Sequence, residues 1–180
     1  KTVALTVPYG TTVTALTPTI TITGSLISPV SDLAPNFTNP VTYTVTAADS
    51  STQAYIVTVT VANAAPVLVT SDSTLVSTST MTLNGSITDN GGTNATQSGF
   101  AYGTSADLIT TIATSTFGAQ IGNASFLENI SGLTPNTVYY FRVYAVNSVG
   151  TSTGEIISTT TLAVSAPTVT SYIDLLVDLL

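Results

Sequence analysis

The side chains able to do chemistry are few and scattered. Nine carboxylates are present: Asp32, Asp49, Asp72, Asp89, Asp107, Glu128, Glu155, Asp174 and Asp178. Most stand beside Gly, Ser or Asn, where Asp closes turns by bonding its own backbone. No two of them have the setting of an acid–base pair across a sugar cleft. Asp89, Asn90 and Asp107 could offer oxygens to Ca²⁺, yet no Asp-x-Asp-x-Asp-Gly loop accompanies them. Lys1 and Arg142 are the only cations, and Cys, His and Trp are absent. Thiolate chemistry, Cys/His metal sites and His-based catalysis are therefore excluded. Two cations against a net charge of −7 also exclude neutralisation of a nucleic-acid backbone. No catalytic residue, metal ligand or cofactor is expected. One grouping remains, Tyr140, Arg142 and Tyr144, which alternate along one segment. Either they form a surface binding patch, or they pack across strands with a cation–π contact.

The elements that would carry these groups are strands. Of 180 residues, 38 are Thr and 20 are Ser, while charged residues make up 6%, against roughly 25% in ordinary globular chains. A hydrophobic content of 43% argues against a solvated disordered chain. Val, Ile, Thr and Tyr suit a pleated, half-buried surface. No apolar run approaches the ~18 residues of a membrane helix, so membrane insertion is not expected.

Period-two alternation predicts the strands one by one. Val3, Leu5 and Val7 share a face, followed by a turn at Pro8, Tyr9 and Gly10. Residues 18–24 form a second expected strand, with Ile20 and Ile22 inward. Residues 28–40 read as a long loop. Residues 41–47 and 55–61 flank Asp49, Ser50, Ser51 and Thr52 and predict a hairpin. Ala62, Asn63, Ala64, Ala65 and Pro66 mark a boundary. Beyond it, short strands are expected near residues 67–69, 81–87, 99–103, 124–130, 137–147 and 155–161, a spacing that suggests a β-sandwich. The fold class is therefore all-β, two tandem β-sandwich domains over residues 1–63 and 64–163, then a carboxy-terminal apolar strand within 164–180. In that last segment Tyr172, Ile173, Leu175, Leu176, Val177, Leu179 and Leu180 surround Asp174 and Asp178. An amphipathic helix would also satisfy the pattern, but the length favours a strand.

Residues 133–150, from Leu133-Thr134-Pro135-Asn136-Thr137-Val138-Tyr139-Tyr140-Phe141 to Asn147-Ser148-Val149-Gly150, resemble the corner and following strand of fibronectin type III domains. The resemblance spans about 65–163 and implies that Tyr139 is the tyrosine-corner residue, its hydroxyl bonding the upstream backbone. The early Trp of that family is missing, so Phe100, Tyr102 or Phe126 must fill the core. Residues 2–62 resemble a bacterial surface Ig/cadherin-like β-sandwich repeat, through Val7-Pro8-Tyr9-Gly10-Thr11, residues 37–47 and residues 55–61. Such repeats commonly have one more strand ahead of the segment equivalent to Val3–Val7.

Both resemblances, and the scarcity of Lys and Arg, imply a secreted, cell-surface protein. The sequence has no initiator Met, basic n-region or apolar h-region, which fits a mature product or an excised piece. Five Asn-x-Ser/Thr sequons begin at Asn36, Asn84, Asn94, Asn123 and Asn129. Strand edges lack the Lys that discourages edge pairing. A missing first strand would leave a groove, and Tyr172–Leu180 would be an orphan apolar segment. Strand donation from one subunit to the next would satisfy both and propagate head to tail. The functional expectation is a structural subunit of an extracellular filament or surface layer, a homopolymer joined through residues 172–180. The alternatives are a stalk spacer of a larger adhesin, or a non-catalytic module of a secreted polysaccharide-degrading enzyme that touches a glycan or host-surface ligand.

Overall fold

Thr-rich alternation produces strands throughout, and the computed structural model, which describes residues 1–108, 111–114 and 116–166, is all-β. The first sheet is built from β1 (Thr2–Val7), β2 (Leu26–Ser28), β3 (Val41–Thr46) and β4 (Thr52–Val61), in the order β1-β4-β3-β2. The expected hairpin is β3 and β4, antiparallel, with Tyr43 opposite Tyr55. Its turn closes on Asp49, whose Oδ1 accepts the Ser51 N–H at 3.0 Å and the Ser51 hydroxyl at 2.7 Å. β1 lies parallel to β4, from Thr2 opposite Ile56 to Val7 opposite Val61. A short 3-10 turn (Val13–Ala15) leads into the connection to β2.

Residues 18–24 differ from the expected strand. Their exposure alternates as anticipated, with Ile20 and Ile22 turned inward and Thr19, Thr21 and Thr23 exposed. Among the described residues, however, they pair with no strand. The inward isoleucines cover the sheet face that carries Val3, Tyr43 and Tyr55, so this segment serves as a second layer without a ladder of its own. Phe37, in the expected loop, is buried at the end of the same layer, where its N–H donates to the Val13 carbonyl at 2.9 Å.

After Pro66 two sheets face each other. One is β5 (Val67–Thr74), β6 (Thr80–Asp89) and β9 (Ser125–Ser131). The other holds β7 (Gln97–Gly103), β8 (Thr111–Thr114), β10 (Val138–Val146), β11 (Thr151–Thr153) and β12 (Ile157–Thr160), the last two both paired to β10. Met81, Leu83, Phe100, Ile130, Leu133, Phe141 and Val143 form the core between them. Phe100, wholly buried, meets Phe117 and Phe126 with ring centroids 6.3 and 5.5 Å away. Phe126 and Tyr102 are partly buried against the cluster. The space left by the absent Trp is thus shared, with Phe117 as a contributor that the alternation did not reveal. Gly85 on β6 makes room for this packing: a Cβ there would sit 3.0 Å from Val143 and 3.1 Å from Phe100.

Candidate functional site

Three places on the molecule are candidates for function. The first is the outer face of β10. Odd-numbered residues of this strand, Tyr139, Phe141, Val143 and Ala145, are buried, while Tyr140, Arg142 and Tyr144 are half-buried on the opposite face. The register sets Tyr140 opposite Gly103, Arg142 opposite Ala101 and Tyr144 opposite Gly99. With rise per residue near 3.3 Å, the two tyrosines stand about 13 Å apart along the strand. Tyr144 is held by Thr116, oxygen to oxygen at 3.1 Å, and lies 3.5 Å from the Gln97 amide nitrogen. Among the described residues Arg142 has no ion pair, and its Nε is buried without a hydrogen bond. Among the described residues no cation–π contact of Arg142 is found. Lys1 makes such a contact instead, its Nζ 5.4 Å from the centre of the Tyr55 ring.

The second place is the turn before β10. The Tyr139 hydroxyl accepts the Thr134 N–H at 2.9 Å. Thr161, also buried, donates its hydroxyl to the Thr134 carbonyl at 2.6 Å and accepts the Thr137 N–H at 3.0 Å. Two side chains therefore fix one turn. Glu128, inward on β9 between Phe126 and Ile130, leaves Oε2 buried without a partner. The pKa of Tyr102 is raised, by burial first and then by the negative charge of Glu128.

The third place is the open side of the first unit. A cavity of about 530 Å³ lies between the sheet face and residues 18–23, bounded by Val3, Leu5, Ile20, Ile22, Tyr43 and Val57. No charged residue lines it. Val3 and Leu5 remain 36% and 50% exposed despite facing it. Tyr43 is only 3% exposed, and its hydroxyl has no partner. Burial pushes its pKa up.

Residues 62–66 form a bonded joint with the turn at residues 89–92 and with Asn147. The Ala64 N–H donates to the Gly91 carbonyl at 2.9 Å. The Asn147 amide donates to the carbonyls of Ala64 at 2.7 Å and Asn90 at 3.2 Å. The Tyr9 hydroxyl donates to Asp89, which also accepts the Gly91 N–H at 2.8 Å. Asp89 is thereby occupied, and Asp107 accepts from the Ser105 hydroxyl. Among the described residues no three metal-ligating side chains converge. Of the sequon asparagines, Asn84 and Asn123 spend their amide N–H groups on the carbonyls of Asp72 and Thr88, at 2.8 and 2.7 Å. The donor residues Tyr172, Ile173, Leu175, Leu176, Val177, Leu179 and Leu180 lie outside the described residues.

Residues 1–59 match a family model described as "SGBP, N-terminal". No curated protein matches the chain. Several solved structures share parts of its outline. The short form of the sensor domain of the anti-sigma factor RsgI4 from Pseudobacteroides cellulosolvens is 15% identical. That alignment covers 56% of this chain and 98% of the other, with a TM-score of 0.48. The sixth fibronectin type III domain from human fibronectin type III domain containing protein 3 is 23% identical, over 59% and 95% of the two chains, with a TM-score of 0.46. Three fibronectin domains of chicken CNTN1 are 17% identical over 68% of this chain and 42% of theirs, with a TM-score of 0.41.

Proposed function

We propose that this chain is a non-catalytic module of a bacterial surface protein, a β-rich arm that holds a glycan-binding apparatus away from the cell. The observation that carries the reading is the likeness of residues 1–59 to the amino-terminal part of surface glycan-binding proteins. The joint supports it: hydrogen bonds from Tyr9, Ala64 and Asn147 tie the first sheet to the turn at residues 89–92, so the units keep one spacing. The outer face of β10 would supply a glycan contact, since tyrosine rings stack on sugar faces and the Arg142 guanidinium between them suits hydroxyls or carboxylates. Affinity electrophoresis against neutral and uronate-bearing polysaccharides, paired with X-ray scattering, tests the reading. Retardation that Tyr140→Ala with Tyr144→Ala abolishes supports the glycan contact. A single extended shape without retardation leaves the spacer role alone. A broad spread of shapes without retardation refutes both.

A second reading is favoured by the open apolar side of the first unit. There the chain is a structural subunit of an extracellular filament or surface layer, assembling as a homopolymer by strand donation from residues 172–180. Deleting residues 172–180 would then leave folded monomers, whereas fibres that persist in electron micrographs after the deletion would end this reading.

A further inference from the structure

We infer that the gap between residues 18–24 and β1 is a β-strand acceptor, and that its occupant is residues 172–180 of a second copy of the chain. The identity of the donor rests on the assembly reading above; the acceptor does not.

Three independent observations define the acceptor. First, residues 18–24 have the alternating exposure of a strand but no ladder: the Ile20 N–H donates to the Ser31 hydroxyl at 3.0 Å and the Pro18 carbonyl accepts the Asp32 N–H at 3.1 Å. Among the described residues, the main-chain N–H and C=O groups of Thr21, Ile22 and Thr23 find no hydrogen-bond partner. Extended backbone with unspent donors and acceptors is a template for pairing. Second, among the described residues β1 pairs only along the edge that faces β4, and Val3 and Leu5 on it stay half-exposed over a cavity of about 530 Å³. Third, the Tyr43 hydroxyl is buried at this cavity with nothing to bond. A purely apolar guest would leave that cost in place. An incoming strand brings peptide carbonyls, to which the phenol can donate.

The chemistry of the lining selects the occupant. With no charge around the cavity, the guest must present apolar side chains on one side and keep any charge on the other. Period two does this for residues 172–180: Ile173, Leu175, Val177 and Leu179 fall on one side, and Asp174 and Asp178 on the opposite side. The unbent acceptor residues 18–22 span about 17 Å, and nine of donor about 30 Å, so the donor covers the acceptor's whole length. Main-chain bonds would supply affinity and alternate pockets specificity, as in other strand-addition complexes.

The test uses the full chain. Sedimentation over a range of concentrations reads its mass, and hydrogen exchange reads the amides of residues 19–23. A synthetic peptide of residues 172–180 and a scrambled version without the alternation serve as competitors. Mass that grows with concentration is expected, with exchange at residues 19–23 slowed by about tenfold or more on assembly. The native peptide should dissolve the assemblies and the scrambled one should not. Assemblies in which residues 19–23 exchange as in dilute protein would overturn the acceptor. Monomers at every concentration with residues 19–23 already protected would overturn the second copy in favour of the chain's own strand. Monomers whose residues 19–23 are protected only by added native peptide would uphold the acceptor and end the homopolymer reading. Monomers that the peptide does not protect would end both.

Discussion

Replacing Tyr139 by Phe removes one oxygen and keeps the ring that packs against Leu133 and Phe141 in the core. What is lost is the acceptor for the Thr134 N–H, 2.9 Å from the Tyr139 hydroxyl. A part-buried N–H left without a partner, together with the lost bond, costs about 1–2 kcal/mol. For a unit of about 100 residues each kcal/mol lowers the midpoint by about 4–8 °C, so Tyr139→Phe should melt about 5–15 °C below the parent. Urea unfolding followed by tyrosine fluorescence should show a lower midpoint at unchanged slope. The same turn is gripped by Thr161, bonded to Thr134 and Thr137. A double-mutant cycle with Thr161→Val should therefore show coupling beyond about 0.5 kcal/mol. If Tyr139→Phe stays within about 0.5 kcal/mol of the parent, the hydroxyl is not holding the corner and water satisfies Thr134 equally well.

Acid should loosen the joint. The Tyr9 hydroxyl, then the Gly91 N–H, hold the Asp89 carboxyl below the usual carboxylate range. Its contribution is present above about pH 4 and lost as pH falls through the lowered value. The same Tyr9–Asp89 bond raises the pKa of Tyr9, so that contribution is complete below about pH 10 and disappears as pH rises through the raised value. Tyr9 ring shifts followed by NMR should move at both ends; a ring insensitive to acid refutes the bond. Gly91→Ala should cost about 2–4 kcal/mol, because the residue sits at φ +70° and a Cβ would lie 2.0 Å from the Ala64 carbonyl. Wild-type stability in a denaturant titration would show that the joint yields easily. Phe100→Ala should cost about 3–5 kcal/mol, since the ring is wholly buried between Phe117 and Phe126. A loss below about 1 kcal/mol by calorimetry would mean that this core refills itself.

Alternation made the paired strands legible. Tyr43 and Tyr55 fall in register because both flanking runs alternate up to the Asp49 turn. The outward face of β10 follows from the same period, as does the burial of Phe141 and Val143. Residues 18–24 show where the signal stops. Period two reports which side chains are covered, and this segment is covered on one side. Hydrogen bonding is a separate condition that needs a neighbour, and the pattern says nothing about one. Phe37 and Phe117 were missed because each stands in a stretch without alternation, the first buried and the second partly buried by long-range packing. The joint was equally hidden: Tyr9 and Asp89 are 80 positions apart, and both carry the marks of ordinary turn residues.

The parallel pairing of β1 with β4 has a mechanical consequence. The chain enters at Lys1, beside the middle of β4, and leaves for the second unit just past Val61, beside the far end of β1. Tension along the chain would drag these two neighbours past one another lengthwise. Every rung from Thr2–Ile56 to Val7–Val61 then shares the load at once. A hairpin pulled at its open end yields rung by rung; this pair must shear as a block. Resistance to stretching is a matter of unfolding rate rather than equilibrium stability. A unit with a modest core can therefore still resist being drawn apart lengthwise.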